Sequence, residues 1–240
     1  MIRSDHGRRR VDVMQTTNAP NTQTDIRYRS GICTAKQAAA LSSMPPNTVH
    51  SWTKATKTRP AMVHTVENER RGWPTVPLVG LVETWSMRAL RTAGIPMSKL
   101  VKVAEDLRQE FSDPYVLARP LLFTDGIDLY RRRRGDLFRV EDGQQPIEQV
   151  IEKYLQKIEL DSDEHPKSFR ISLSEGIDLT LDPRFNGGRP SLLRNRVPAF
   201  AVLGALEAGE RPITVAADYD LEIAEVLAIE QSARKLSKVA

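Results

Sequence analysis

Cysteine is nearly absent. Cys33 stands alone in 240 residues, which excludes an intramolecular disulfide and any cysteine-based metal cluster. Long apolar runs are missing, and no stretch of the sequence suffices to span a bilayer. The first thirty residues are polar and lack the apolar core of a secretory signal. These absences lead us to expect a cytoplasmic chain with no membrane partner. No segment recurs at a fixed period. The four histidines, His6, His50, His64 and His165, show no ligand spacing. Asp125, Asp128, Asp136 and Glu141 are scattered acids, not the convergent set a metal nuclease requires. Gly187-Gly188-Arg189 lacks the Lys-Ser/Thr that would complete a phosphate-binding loop. We therefore expect no catalytic residue, no metal and no cofactor, and a binding protein rather than an enzyme.

What is present is ordinary in amount and uneven in place. Hydrophobic residues make up 40% and charged residues 28%, enough for sizeable cores. The net charge is +4, but residues 1–75 hold 12 Lys and Arg against 5 Asp and Glu, and the remainder is net acidic. A basic N-terminal end suits an anionic polymer, although short basic tails are common. Residues 1–28, with Arg8, Arg9 and Arg10 in a row, show no periodicity and read as a disordered basic arm. Such an arm either lies along phosphates or is simply a frayed terminus.

The fold class expected is mainly α with small β elements, an α+β protein. Residues 32–57 predict two short helices broken by Ser42-Ser43 and Pro45-Pro46. Thr34 can cap the first, and Pro46 suits the first turn of the second. Residues 58–80 carry Pro60, Gly72, Pro74, Pro77 and Gly80, which suits a short wing or an irregular loop. Two helices follow over 78–111, the first closed by Gly94 and the second with Ser98 as its candidate cap. Asp125-Gly126 and Gly135-Asp136 predict a three-stranded meander over 121–140, and Arg131–Arg134 falls in one of its turns. Helix returns over Pro146–Ile158. Residues 159–167 are charged and read as a linker. Two strands around Gly176 and helices near 199–208, 213–217 and 221–236 complete the chain.

The stretch TAKQAAALSSMPPNTVHSWTKA, from Thr34 to Ala55, carries the clearest chemistry. Small alanines let a second helix cross the first closely, and Val49 and Trp52, three apart, share that second helix's inner face. Asn47, Thr48, His50, Ser51 and Lys54 then point outward. Asn47 can pair with adenine in a major groove, and Thr48 and Ser51 can meet base edges or phosphates. Lys54, Lys57 and Arg59 are placed for phosphates. The same pattern also describes two helices that merely pack together.

The stretch resembles the start of MerR-type winged helix-turn-helix domains. That resemblance implies base or phosphate contacts from Lys36, Asn47, Thr48, His50, Ser51 and Lys54, which with Thr34, Lys57 and Arg59 make up the candidate DNA-binding set. It also implies a wing between Arg59 and Pro77, with Arg59, Arg70 and Arg71 as candidate contacts. The long heptad helix and metal-binding cysteines of many MerR regulators are missing, which argues against a metal sensor. Residues 181–233 resemble a small antitoxin-associated domain. The marks are Asp182-Pro183-Arg184, Gly187-Gly188-Arg189-Pro190, Arg196-Val197-Pro198, Gly209-Glu210 and Asp218-Tyr219. Arg194-Asn195 stands where that family usually has Gly-Thr. The resemblance implies a homeodomain-like helical fold and a PIN-like ribonuclease toxin as partner.

Taken whole, the layout resembles a VapB-type antitoxin of a mycobacterial VapBC pair. It divides the chain into an arm (1–28), a winged helix-turn-helix (29–80), a helical and β-meander dimerisation region (81–160) and a toxin-binding domain (168–240). A homodimer would then bind two half-sites of operator DNA and repress its own operon. Arg184, Arg189, Arg194 and Arg196 could pair with the toxin's acidic centre, or form salt bridges within their own domain. The apolar stripe around Trp85 is either the dimer interface or internal core. The alternative function is a MerR-like regulator that answers a small molecule through residues 80–180.

Overall fold

The computed structural model describes residues 22–67, 70–119 and 153–233. The expected meander over 121–140, most of the helix from Pro146, Arg8–Arg10 and Arg131–Arg134 lie outside the described residues. The rest is an α+β protein. It opens with α1 (Ile26–Arg29), β1 (Gly31–Cys33), α2 (Ala35–Leu41), α3 (Pro46–Trp52), β2 (Val76–Pro77), α4 (Leu78–Thr92) and α5 (Met97–Glu110). A 3-10 turn follows at Val116–Ala118. After β3 (Ile158–Leu160), β4 (Pro166–Ser174), β5 (Ile177–Leu181) and β6 (Ser191–Leu192) come α6 (Ala199–Glu207), α7 (Pro212–Asp218) and α8 (Ile223–Gln231).

Helix α4 is the axis of the molecule. The sequence shows one apolar stripe on it, but burial runs round nearly the whole helix and includes Glu83, Thr84 and Ser86. These polar groups are tolerated because each finds a partner. Thr84 Oγ1 donates to Gly80 O, and the Ser86 hydroxyl shares a 2.8 Å hydrogen bond with that of Tyr154. The Glu83 carboxylate accepts from the His64 backbone N–H and faces His64 Nδ1, both at 2.7 Å. Gly80 permits this approach, since a Cβ there would sit 2.3 Å from His64 O.

The four antiparallel strands run in the order β3-β4-β5-β6. Phe169 pairs with Leu181 and Ile171 with Leu179, and all four are buried. This inner face packs on α4, where the Phe169 ring meets Trp85 edge-on at 5.7 Å. Part of the Trp85 stripe is thus packed against the sheet within the chain. Beyond the sheet, α6, α7 and α8 close around Val202, Val215, Val226 and Ile229, each fully buried.

Four sequence expectations are corrected. Residues 22–28, placed in a disordered arm, are ordered: α1 is capped by Asp25, and Tyr28 is buried against Tyr115 and His165. Residues 159–167 are the β3–β4 hairpin rather than a linker. Their acids are paired. Arg27, which also bridges its own cap Asp25 at 2.6 Å, bridges Asp163 at 2.5 Å and Asp161 at 3.6 Å. Lys167 holds Glu159 at 2.7 Å, and Arg119 reaches Glu164. Ile158 begins a strand rather than ending a helix. Ser98 lies inside α5, whose N-cap position is Pro96.

Candidate nucleic-acid interface

Helix α2 starts where Thr34 takes extended backbone and closes a capping box. Thr34 Oγ1 accepts from the Gln37 N–H at 3.2 Å, and Gln37 Oε1 accepts from the Thr34 N–H at 2.6 Å. Ala38 and Ala39 are fully buried, so α3 crosses without a bulky side chain between the two helices. The turn passes through Ser43 at φ 50°, and the Met44 N–H donates back to Ala39 O at 2.8 Å. Pro46 takes the first position of α3, where its missing N–H is harmless. Val49 and Trp52 bury the back of α3, and the Trp52 carbonyl accepts from Met62 and Val63.

Most of the predicted contacts are open to solvent, and Asn47, His50 and Ser51 share one face of α3 by their spacing. Asn47, His50, Ser51, Lys54 and Lys57 are exposed, Lys36 is exposed on α2, and Thr48 is half-buried. Three of the set also hold the motif itself. The Thr34 hydroxyl is occupied by its cap, and the Ser51 hydroxyl donates to Thr48 O at 2.8 Å. Arg59 Nη2 donates to Ser51 O at 2.5 Å, satisfying a carbonyl near the end of α3.

The region of the expected wing is a loop, not a regular hairpin. Thr56 and Arg59 form an isolated bridge. Farther on, the Val66 N–H donates to Thr75 O at 2.8 Å and closes a loop that carries Arg70 and Arg71. Trp73 is 52% exposed there, with the Arg70 guanidinium over its ring at 4.8 Å. Sequence reasoning passed over Trp73. Its signal was a bulky aromatic between Gly72 and Pro74, in a loop with no helical or strand period to bury it.

A second cluster forms in the turn between β5 and α6. Asp182 is buried and accepts from the Arg184 backbone and guanidinium. Burial pushes its pKa up, but Arg184 and then Arg196 outweigh this and hold it below the usual carboxylate range. Arg194 pairs with Glu225 at 2.9 Å and pulls that carboxyl down as well. Arg189 and Arg196 form no ion pair among the described residues. They lie over Phe200 and Phe185, at 5.2 and 4.9 Å, and both rings are about two-fifths exposed. Gly187 and Gly188 turn the chain at φ 62° and 77°. Gly188 rests directly on Ile32, for a Cβ there would stand 2.2 Å from its Cγ2. The arginine loop is therefore packed against the strand that leads into Thr34.

Comparison with known proteins agrees with this layout. Residues 32–103 match a family described as "Putative DNA-binding HTH domain". Residues 179–230 match one described as "Protein of unknown function (DUF433)". Over 223 residues the chain is 27% identical to a Mycobacterium tuberculosis H37Rv protein named "Putative antitoxin VapB45", covering 84% of this chain and 93% of that one. The fold resembles the crystal structure of Rv2018 from Mycobacterium tuberculosis, with a TM-score of 0.69 and 25% identity, over 85% of this chain and 99% of that one. The chain carries a helix-turn-helix in its N-terminal half and is similar, over most of its length, to a protein named as an antitoxin.

Proposed function

We propose that this chain is the antitoxin of a type II toxin–antitoxin pair and a repressor of its own operon. The observation that carries the reading is α3: its back is sealed by Val49 and Trp52, and Asn47, His50, Ser51 and Lys54 are left outward in one row. A helix so held can enter a major groove, with Asn47 reading adenine and Lys36, Lys54, Lys57 and Arg59 on phosphates. Arg70 and Arg71 would follow the backbone from the loop. The C-terminal residues bind and inhibit a PIN-like ribonuclease. On that reading Arg189 and Arg196, which form no ion pair among the described residues, reach the enzyme's acidic centre. Arg184 and Arg194 hold the loop's shape through Asp182 and Glu225. The protein acts as a cytoplasmic homodimer on two half-sites.

The test is co-expression with the product of the adjacent reading frame, scored by co-elution and rescue of growth, together with binding to the upstream DNA. A toxic neighbour that is neither bound nor neutralised would end the antitoxin reading. A second reading, a regulator answering a small molecule, is favoured by a cavity of about 460 Å³ between α4 and residues 153–157, lined by Trp85, Arg88, Lys153, Tyr154 and Lys157. It predicts DNA binding that changes with a metabolite and no protein partner.

A further inference from the structure

Helices α7 and α8 repeat the geometry of α2 and α3. Asp220 turns the chain at φ 52°, as Ser43 does at φ 50°. The Leu221 N–H donates to Ala216 O at 2.8 Å, as Met44 does to Ala39. Val226 and Ile229 are fully buried where the first hairpin has Val49 and Trp52. With the turns matched, the outward positions Pro46, Asn47, His50 and Lys54 correspond to Ile223, Ala224, Leu227 and Gln231.

That exchange removes what DNA requires. The outward face of α8 offers no cation, and Asp218, Asp220, Glu222 and Glu230 surround it, all exposed. Four carboxylates around a face with no cation on the outward positions of α8 disfavour a polyanion there. What the face does offer is aliphatic: Ile213 is 56% exposed, Ile223 46% and Leu227 38%. Ile223 and Leu227 stand one turn apart on one side of α8.

We propose that the outward face of α7 and α8 is a protein-docking surface, fitted to a partner with an apolar centre and a cationic rim. Resting on the antitoxin reading, that partner surface is the RNA-binding track of the ribonuclease. An enzyme that cuts RNA must carry Lys and Arg along the backbone's path. An acidic rim around an aliphatic centre is complementary to such a track and would exclude RNA from it. The arginine loop lies beside this face, since Arg194 Nη2 donates to Asp220 O at 3.1 Å. One domain thus presents cations for the enzyme's acids and anions for its RNA track.

The experiment uses the full chain and the product of the neighbouring reading frame, with complex affinity measured by calorimetry. Ile223→Arg with Leu227→Arg puts two cations at solvent-facing positions and should weaken the complex about 100-fold, as expected of central anchors. Asp218→Lys with Glu230→Lys leaves the aliphatic centre intact. It should weaken the complex about tenfold and flatten its salt dependence. A short RNA should compete with the wild-type chain for the enzyme. Complex affinity within twofold of wild type in both variants would sink the docking face while leaving the antitoxin reading in place. So would an effect that appears only in self-association, pointing to a second copy, or only in operator affinity, pointing to nucleic acid. A wild-type chain that binds no neighbouring product removes the reading and this proposal together.

Discussion

The two helical hairpins of this chain share a backbone and differ in what they show to solvent. Both close on the same 2.8 Å turn bond, both pass through a non-glycine residue near φ 50°, and both bury an aliphatic residue and a larger one three positions apart. Yet α3 faces outward with Asn47, His50 and Lys54, and α8 with Ala224, Leu227 and Gln231. The buried positions set the shape, because close packing leaves them few alternatives. The outward positions are free of that constraint, so they are where a choice of partner can be written.

The comparison can be broken first at its core. Trp52→Ala should cost about 3–5 kcal/mol and Ile229→Ala about 2–5 kcal/mol, read by chemical denaturation. Trp52 should lead, because its buried indole leaves the larger cavity when truncated. Near-equal small losses at both sites would mean that the hairpins are not core-defined.

The outward faces provide the next test. Asn47→Ala, His50→Leu and Lys54→Gln together give α3 the residues of α8. With about 1–3 kcal/mol for a good base contact, operator affinity should fall about 100-fold or more at fixed salt. The melting temperature should hardly move, since all three side chains are exposed. The reciprocal change, Ala224→Asn, Leu227→His and Gln231→Lys, should confer no operator binding while the acidic rim remains. Anisotropy titrations on the upstream DNA check both.

The helix starts differ more modestly. Thr34→Ala removes a side-chain cap and should cost about 1 kcal/mol. Helix α7 begins at Arg211 with no side-chain cap, so Arg211→Ser should stabilise by up to about 1 kcal/mol. Thermal unfolding distinguishes the two signs.

The joint between the halves should respond to acid. Burial, the largest influence, lowers the pKa of His165 from its ordinary 6.5; Asp113 and Asp163 oppose this, and Arg119 and Arg27 reinforce it. The folded chain holds the ring neutral, so below about pH 6.5 the unfolded chain takes up the proton first. Stability should be complete above that pH and decline as the pH falls toward the folded value. His165→Phe should flatten that part of the profile. The smallest effect is expected from Arg194→Ala, whose guanidinium is solvent-facing: a slight loss of melting temperature that salt diminishes.

The first hairpin was legible in the sequence because every step of it is local. Thr34 with Gln37, the alanine run, Pro46 and the three-residue spacing of Val49 and Trp52 lie within twenty residues and state their own roles. The strands around Gly176 were legible for the same reason. The likeness of the second hairpin to the first was hidden, because the shared feature is a turn geometry that Ser42-Ser43-Met44 and Tyr219-Asp220-Leu221 reach with different side chains. The charged run 159–167 misled, since acids in sequence look solvated until a distant cation is known. Arg27 lies 136 residues from Asp163.

The sequence by itself determined the α+β class, the placement of α2 and α3, the uneven charge and the outward row from Asn47 to Lys54, because short-range spacing fixes which side of a helix a residue takes. Tertiary structure alone decided that α4 is enclosed, that Arg194 already holds the Glu225 carboxylate, and that the arginine loop rests on Ile32. Each of these depends on a contact between residues far apart in the chain, and burial and charge pairing are properties of such contacts rather than of any local pattern.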